Sequence, residues 1–130
     1  MVKTTANLSI TNTVKGKLPR LPFLKLKNAI LGEKYELSVV FVSPEKAKKL
    51  NLAHRGKNKP ANVLSFPLSK NSGEIFLCVP EIKKSAKDFD RQGGRLVGFF
   101  FIHALVHLKG NRHGSTMEKT EEKFRKVFDI

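Results

Sequence analysis

Residues 95 to 110 read RLVGFFFIHALVHLKG and contain the longest apolar run of the chain, from Leu96 to Leu108. A helix of this composition is apolar on nearly all of its faces, as is typical of a helix buried inside a core. Gly110 stands where a C′ glycine would end that helix. The run therefore predicts a buried helix against which the rest of the chain packs.

Four other segments have the patterns of β-strands. They either alternate between apolar and polar residues or are rich in β-branched and aromatic types. The predicted strands are 7–14, 35–42, 62–66 and 74–79. The connection between the last two contains the turn-like sequence Asn71-Ser72-Gly73, so a hairpin is one option.

Amphipathic periodicity and helix-ending residues predict four further helices. Ser43-Pro44-Glu45 has the pattern of an N-cap, an N1 proline and an acidic first turn, and Gly93-Gly94 is expected to stop the basic helix that Pro80 opens. The predicted helices are 21–31, 44–51, 80–92 and 116–128. Because strands and helices are interleaved, we expect an α+β fold with a small mixed four-stranded sheet covered by about five helices.

The composition limits the kind of partner. The chain has 130 residues, the size of one ordinary domain, which we take to span residues 1–130. Lys and Arg number 25 against 11 Asp and Glu, a formal net charge of +14. Without a long apolar span, this charge favours nucleic acid or the ribosome over a membrane surface. A basic surface that serves only solubility is the alternative.

The cysteine count and the N-terminus bear on location. Cys78 is the only cysteine, so no intramolecular disulfide can form. The N-terminal sequence lacks the continuous apolar segment of a secretory signal, and the apolar run from Leu96 to Leu108 is too short to cross a bilayer. We therefore expect a cytoplasmic protein, with Cys78 as a small buried core residue.

Three of the four histidines lie in or just after the predicted buried helix. His103 and His107, four residues apart, share one helical face, and His113 can approach the same point if the chain turns back at Gly110. Three imidazoles with an open fourth position form the ligand set of a catalytic zinc. The alternative is two core histidines, each of which needs its own hydrogen-bonding partner.

The nearest metal-binding motif is the HExxH sequence of zinc proteases, in which a glutamate beside the first ligand acts as the general base. Residue 104 is alanine here, which makes peptide hydrolysis a minor alternative. His54 has no partner at ligand spacing, and we interpret it as a surface loop histidine. Arg55, Lys57 and Lys59 are expected in the same loop, where their side chains suit contact with phosphate.

Three segments together resemble the YbeY family of metal-dependent endoribonucleases and rRNA maturation factors. They are LNLAHRGKNKPANVLSFP (50–67), GEIFLCVPEI (73–82) and HALVHLKGNRH (103–113). Their order and spacing also agree, and the similarity extends from about Tyr35 to His113.

The resemblance implies an architecture related to zinc metalloproteases and one zinc ion per chain, held by His103, His107 and His113. It also implies a basic groove for single-stranded RNA, with Arg55 close to the metal as a functional residue. The family usually has Asp immediately before the third histidine, where this chain has Arg112. Arg112 either disfavours the metal or points outward and holds phosphate.

Two further positions match polar positions of the family. Glu74 is often acidic there, and Asn62 is often Asp or Asn. Either side chain could support the metal ligands, and a role where a turn enters a strand is an equal alternative for both.

The leading hypothesis is a zinc-dependent endoribonuclease, specific for single strands, in rRNA maturation. The resemblance implies processing of the 16S rRNA 3′ end, late ribosome quality control and contact with the small ribosomal subunit. The sequence leaves the oligomeric state open, with a monomer favoured. The alternative from another class is a non-catalytic RNA- or ribosome-binding assembly factor with a structural or vestigial metal site. A metalloprotease would need an acidic residue from elsewhere, such as Glu74, to reach the site.

Overall fold

The computed structural model of the chain describes residues 2–110 and 114–130, which form an α+β fold. Its strands are β1 (Val2–Thr5), β2 (Leu8–Asn12), β3 (Glu36–Phe41), β4 (Val63–Ser69) and β5 (Ser72–Leu77). Its α-helices are α1 (Phe23–Leu31), α2 (Pro44–Arg55), α3 (Val79–Lys84), α4 (Gly93–Leu108) and α5 (Ser115–Phe128), with a short 3₁₀ turn at Ala86–Asp88. The predicted fold class and the number of helices are confirmed.

The sheet has one strand more than the sequence patterns predicted. Its order is β1-β2-β3-β5-β4, with β2, β3 and β5 parallel and both outer strands antiparallel to their neighbours. The additional strand is β1, which pairs with β2 through a two-residue turn. Ala6 and Asn7 both have positive φ, 44° and 66°, as a type I′ hairpin turn requires. The four residues of β1 are too few and too polar to show strand periodicity, so the prediction of four strands was wrong.

Strands β4 and β5 form the hairpin that the sequence left as an option. Lys70 and Asn71 make the turn, and Ser69 pairs with Ser72. The pairing is irregular between Pro67 and Ser69. Proline is tolerated in β4 because this strand lies at the edge of the sheet and its pairing is irregular there.

Helix α2 is longer than predicted. Ser43 caps it as expected, with its Oγ accepting a hydrogen bond from the Lys46 backbone N–H at 3.2 Å. The helix continues to Arg55 and ends at Gly56, which has a left-handed φ of 69°. The prediction that His54 and Arg55 lie in a loop was therefore wrong, because both occupy the last turn of a helix.

The basic helix predicted for residues 80–92 is mostly absent. Helix α3 covers only Val79–Lys84 and is followed by the short 3₁₀ turn. The glycine pair expected to stop that helix instead begins α4, with Gly93 at a positive φ of 58°. Glycine marked a boundary correctly here, but the sequence pattern did not show on which side of it the helix lies.

Helix α4 occupies the centre of the structure, as its apolar sequence predicted. It packs against β4, α1, α3 and α5. Along its length Phe101, Ile102 and Leu105 are completely buried. Helix α2 contributes to a second, smaller buried cluster, in which Ala47 packs with Val42 and Cys78. The central helix is thus held on several sides, and its side chains have fixed positions.

One close contact joins β5 to the end of this helix. Gly73 lies where a Cβ atom would overlap the Tyr35 hydroxyl and approach the Leu108 Cδ2 to 3.0 Å. The Tyr35 hydroxyl is buried and, within the part of the chain that the structure describes, has no hydrogen-bonding partner. Burial raises the pKa of this tyrosine. The site is therefore close-packed and contains a polar atom that does not stabilise the fold.

We expect Gly73→Ala to lower the free energy of unfolding by about 1–3 kcal/mol, the usual cost of overpacking. Tyr35→Phe is expected to be neutral or stabilising because it removes a buried hydroxyl without a partner. The double variant should lose less stability than Gly73→Ala alone, and urea unfolding of the four proteins measures this coupling. If Gly73→Ala lowers the free energy of unfolding equally with and without Tyr35→Phe, the close contact between residue 73 and the Tyr35 hydroxyl would be contradicted.

Within residues 2–110 and 114–130, each helix is too short or too polar to span a membrane.

Candidate active site

Helix α4 brings two of the predicted ligands together. His103 and His107 lie one turn apart on one face, with ring centroids separated by 4.8 Å and ring planes at 88°. Both side chains are partly exposed on a helix that is otherwise largely buried. The helix therefore holds two imidazoles at the floor of a surface cavity, which we call the histidine cavity.

The histidine cavity has a volume of about 320 Å³ and takes its walls from three elements. Helix α2 contributes Arg55, and α4 contributes both histidines and Ala104. Edge strand β4 supplies one wall, residues 63–66. In the lining that the structure describes, Arg55 is the charged side chain and carboxylates are absent. The cavity is consequently suited to an anionic group.

Arg55 is placed by the way α2 ends. Gly56 turns the chain in the left-handed conformation, and its backbone N–H donates to the Leu52 carbonyl at 3.1 Å. The following loop is anchored by Asn51, which is 2% exposed and donates from Nδ2 to the Lys59 carbonyl at 2.8 Å. Asn51 thus fixes the loop that follows Arg55.

The fourth histidine lies beside this cavity rather than in it. The His54 ring is exposed and packs on Phe66, with ring centroids 4.7 Å apart. Phe66 lines the histidine cavity, whereas His54 is outside the described lining. His54 is therefore a surface residue, as predicted, although it belongs to a helix.

Behind the histidines lies a carboxylate that the sequence analysis missed. Glu121 of α5 is 6% exposed, and its Oε1 is 2.9 Å from the His103 Nδ1. With Glu121 ionised, Nδ1 is the donor in this hydrogen bond. Arg125, one turn further along α5, approaches the same carboxylate at 3.9 Å. The available signal was an acidic residue on the inward face of α5, one turn after the buried Met117.

This contact bears on whether the residues fit a metal. Histidines that bind a metal through Nε2 commonly donate the other ring N–H to a carboxylate, which fixes the tautomer and the orientation of the ring. His103 makes that contact, and His107 lies beside it on a rigid helix. Among residues 2–110 and 114–130, His, Cys, Asp and Glu do not form a group of three that could hold a metal. His113, the third predicted ligand, and Arg112 lie outside the described residues. The ligand set therefore stays a prediction, and His103 and His107 lie close enough together to belong to it.

The other predicted polar positions have structural contacts. Asn62 donates from Nδ2 to the Ser85 Oγ at 3.3 Å, and its carbonyl accepts from the Cys78 N–H at 3.0 Å. Glu74 pairs with Phe66 across the β4–β5 hairpin and is outside the described lining of the histidine cavity. Cys78 is 1% exposed, and burial raises its pKa. Asn62 therefore joins the start of β4 to the end of α3, and Cys78 is a buried core residue as predicted.

The sequence also matches a model of a known protein family. The model described as Endoribonuclease YbeY matches residues 5–129. The chain belongs to the YbeY family. The resemblance found in the three sequence segments is therefore confirmed, and the match extends over nearly the whole chain.

Curated members of the YbeY family give the same result. Endoribonuclease YbeY of Aster yellows witches'-broom phytoplasma is 36% identical over 104 residues, a match that covers 73% of this chain and 68% of that protein. Endoribonuclease YbeY of Mesoplasma florum is 33% identical over 111 residues, covering 77% of this chain and 62% of that protein. The matched region thus spans about two thirds of each relative.

A solved structure agrees with the fold. The solution structure of a protein from Thermotoga maritima superposes with a TM-score of 0.63 at 26% sequence identity. The superposition covers 94% of this chain and 89% of that one. The architecture is thus shared with a solved protein structure, while the YbeY assignment rests on the sequence matches.

Proposed function

We propose that this chain is an endoribonuclease that cleaves single-stranded RNA in the processing of ribosomal RNA, with the histidine cavity as its active site. The observation that carries the proposal is the composition of that cavity, two imidazoles and one guanidinium without a described carboxylate. This set attracts a phosphodiester and can stabilise charge that develops on it. The names of the YbeY relatives support the same activity.

We further propose that His103, His107 and His113 hold one zinc ion. Bound there, zinc would supply Lewis acidity toward a phosphate oxygen and lower the pKa of a water ligand. The His103–Glu121 hydrogen bond supports this, because it leaves Nε2 as the ring nitrogen for the metal and holds the imidazole in one orientation.

The chain's own residues then have separate roles. Arg55 enters from α2 and would donate to the non-bridging oxygens of the scissile phosphate, a contact for which the planar guanidinium is well shaped. His103 and His107 would keep the metal at the floor of the cavity, because α4 cannot shift without disturbing the core. Phe66 would provide an apolar wall on one side of the cavity.

Peptide hydrolysis is less well supported by the same cavity. A zinc protease of the HExxH type needs a carboxylate beside the first histidine to take a proton from water. Ala104 occupies that position, is 1% exposed and lines the histidine cavity. Glu74, the residue considered as a substitute, is outside the lining that the structure describes.

The proposal is tested by incubating the purified protein with matched single-stranded and duplex RNA, with and without a chelator. We expect cleavage of the single strand, loss of cleavage with the chelator and recovery on adding zinc. Tight RNA binding without metal-dependent cleavage would instead identify a non-catalytic assembly factor.

We propose the 16S rRNA 3′ end on small ribosomal subunits as the substrate, with a role in late ribosome quality control. Incubating the protein with purified subunits that carry unprocessed 3′ ends, and measuring the shortening of those ends, tests this proposal.

RNA binding is expected to depend strongly on salt. The formal charge of +14 makes counterion release the main source of affinity. If roughly 6–10 phosphates are neutralised, affinity should fall by about 10³- to 10⁵-fold between about 50 and 200 mM salt. Fluorescence anisotropy with a labelled oligonucleotide measures the slope. A flat response would show that the basic surface serves solubility alone.

Removing the carboxylate behind His103 should weaken zinc binding. We expect Glu121→Ala to reduce zinc affinity by about 10- to 100-fold, because the imidazole loses the group that fixes its tautomer and orientation. Titration against a fluorescent zinc chelator measures this change.

The matched control is Glu122→Ala. Glu122 is the next residue of α5, is 57% exposed at its side chain and pairs only at the surface with Lys126, 3.1 Å away. The Glu122→Ala variant should bind zinc with the same affinity as the unaltered protein. Equal zinc affinity for Glu121→Ala and Glu122→Ala would exclude the proposed role of Glu121.

A further inference from the structure

Three phenylalanines, one just after the short 3₁₀ turn and two in α4, form a cluster. The Phe89 and Phe99 ring centroids are 5.0 Å apart, those of Phe89 and Phe100 5.3 Å, and those of Phe99 and Phe100 5.4 Å. All three side chains are only partly buried. Aromatic residues of a core are usually covered, so an incompletely covered cluster at the surface requires a reason.

The cluster lines a second cavity of about 390 Å³, which we call the aromatic cavity. Its walls include the three phenylalanines, Met117 and Arg125. Its volume falls within the usual range for small-ligand pockets, about 300–1,000 Å³. The aromatic cavity is therefore large enough for a planar group the size of a nucleobase.

The two cavities share a wall. His103 lines both the histidine cavity and the aromatic cavity. An RNA strand with its phosphate in the first cavity would thus have the second cavity next to it, with His103 in the wall of both. The aromatic cavity is in this sense continuous with the proposed active site.

The charges around the aromatic cavity distinguish a base from a phosphate. Glu118 and Glu121 line it, whereas the described lining of the histidine cavity has no carboxylate. These carboxylates make the aromatic cavity less favourable for phosphate than the histidine cavity, although Arg125 also lines it. Arg125 lies 4.9 Å from the Phe99 ring centroid and Arg91 lies 4.8 Å from it, so the cationic groups stack on the aromatic cluster.

We propose that the aromatic cavity is a subsite for one unpaired nucleobase of the RNA strand whose phosphate lies in the histidine cavity. This inference rests on the proposed ribonuclease function and adds a substrate contact to it. Recognition of single-stranded RNA typically relies on bases stacked on aromatic rings and guanidinium planes, the groups present here. A duplex cannot place a base in the cavity, so the subsite also provides a physical basis for single-strand specificity.

Glu118 gives the subsite a preference among bases. Its exposed carboxylate accepts hydrogen bonds and can accept one from the exocyclic amine of cytosine. Uracil has a carbonyl oxygen at the same place and would be repelled. Cytosine is therefore expected to bind better than uracil, and the difference should disappear in Glu118→Ala.

The test uses a series of labelled single-stranded RNAs. In each RNA, one nucleotide is replaced by an abasic one, which keeps the ribose and phosphate and lacks the base. Affinity is measured by anisotropy in the presence of a chelator, where cleavage is blocked, and cleavage is measured separately with zinc. Phe100→Leu keeps an apolar side chain in the cavity and removes the aromatic face, so the protein should stay folded. Phe124→Leu is the matched control, because Phe124 packs against the core and is outside the described lining of the cavity.

One abasic position should lower the affinity of the unaltered protein roughly tenfold, within the usual range for one stacked base. Phe100→Leu should bind the intact RNA about as weakly as the unaltered protein binds the abasic RNA. Its affinity should not fall further when the RNA is abasic. Phe124→Leu should behave like the unaltered protein.

The outcomes separate the two proposals. An abasic effect that depends on Phe100, without any cleavage, would overturn the ribonuclease function and leave the base subsite standing. Cleavage together with an abasic effect that is unchanged in Phe100→Leu would overturn the subsite and leave the function standing. Equal affinity of Phe100→Leu and Phe124→Leu for intact RNA would also overturn the subsite.

Discussion

Replacing His103 and His107 together with alanine is expected to remove the bound zinc and to lower the rate of RNA cleavage by at least about 10³-fold. Such a loss corresponds to about 4 kcal/mol of transition-state stabilisation, and metal ions in hydrolytic sites contribute several kcal/mol. The double variant removes both ligands that α4 supplies, so a single remaining histidine would have to hold the ion. The fold should survive, since both side chains are partly exposed at the floor of the cavity.

Zinc content by elemental analysis of untagged protein, together with the initial rate of cleavage, measures both effects. His54→Ala is the matched control, because it removes an imidazole outside the described lining of the histidine cavity. It should retain near-stoichiometric zinc. If the double histidine variant also retained near-stoichiometric zinc, the proposed ligand set would be wrong.

Arg55→Ala is expected to lower kcat by about 10²- to 10³-fold, the usual cost of removing one donor that stabilises developing negative charge. Arg55 is the charged side chain in the described lining of the histidine cavity, so its loss leaves the phosphate without a guanidinium donor there. Arg55→Lys should recover only part of the rate, because an ammonium group cannot make two parallel hydrogen bonds to phosphate. Arg55→Glu should be the least active of the three.

The control for Arg55 is Lys48→Ala, which removes an exposed cation from the same helix. It should change RNA affinity slightly and leave kcat unaltered. Zinc content must be equal in all four variants for the comparison to report on phosphate contact. Unchanged chelator-sensitive cleavage by Arg55→Glu would remove Arg55 from the mechanism.

The central helix and the pairing of its two histidines were predictable because each depends on short-range patterns. An apolar run of this length predicts burial, and a spacing of four residues places side chains on one face whatever surrounds the helix. The Ser43 cap was predictable for the same reason. Strand β1 was not, because it is held by pairing with β2 rather than by its own residues.

Contacts between distant segments could not be derived from the sequence patterns. Glu121 lies 18 residues beyond His103, and only the packing of α5 on α4 brings them together. Arg55 lines the same cavity as the histidines because α2 continues one turn further than its pattern indicated. The aromatic cavity likewise depends on tertiary packing, since Phe89 lies outside the helix that carries Phe99 and Phe100.

Because the two histidines lie on α4, binding of a ligand at the site is coupled to the global unfolding of the protein. The most buried segment of a small protein opens only when the molecule unfolds globally, whereas exposed ends open locally and often. A ligand bound to α4 in the native state would therefore stabilise every element at once, although it can leave through the open cavity while the protein stays folded. At a free concentration about 100 times its Kd, such a ligand adds about 2.7 kcal/mol to the native state by mass action.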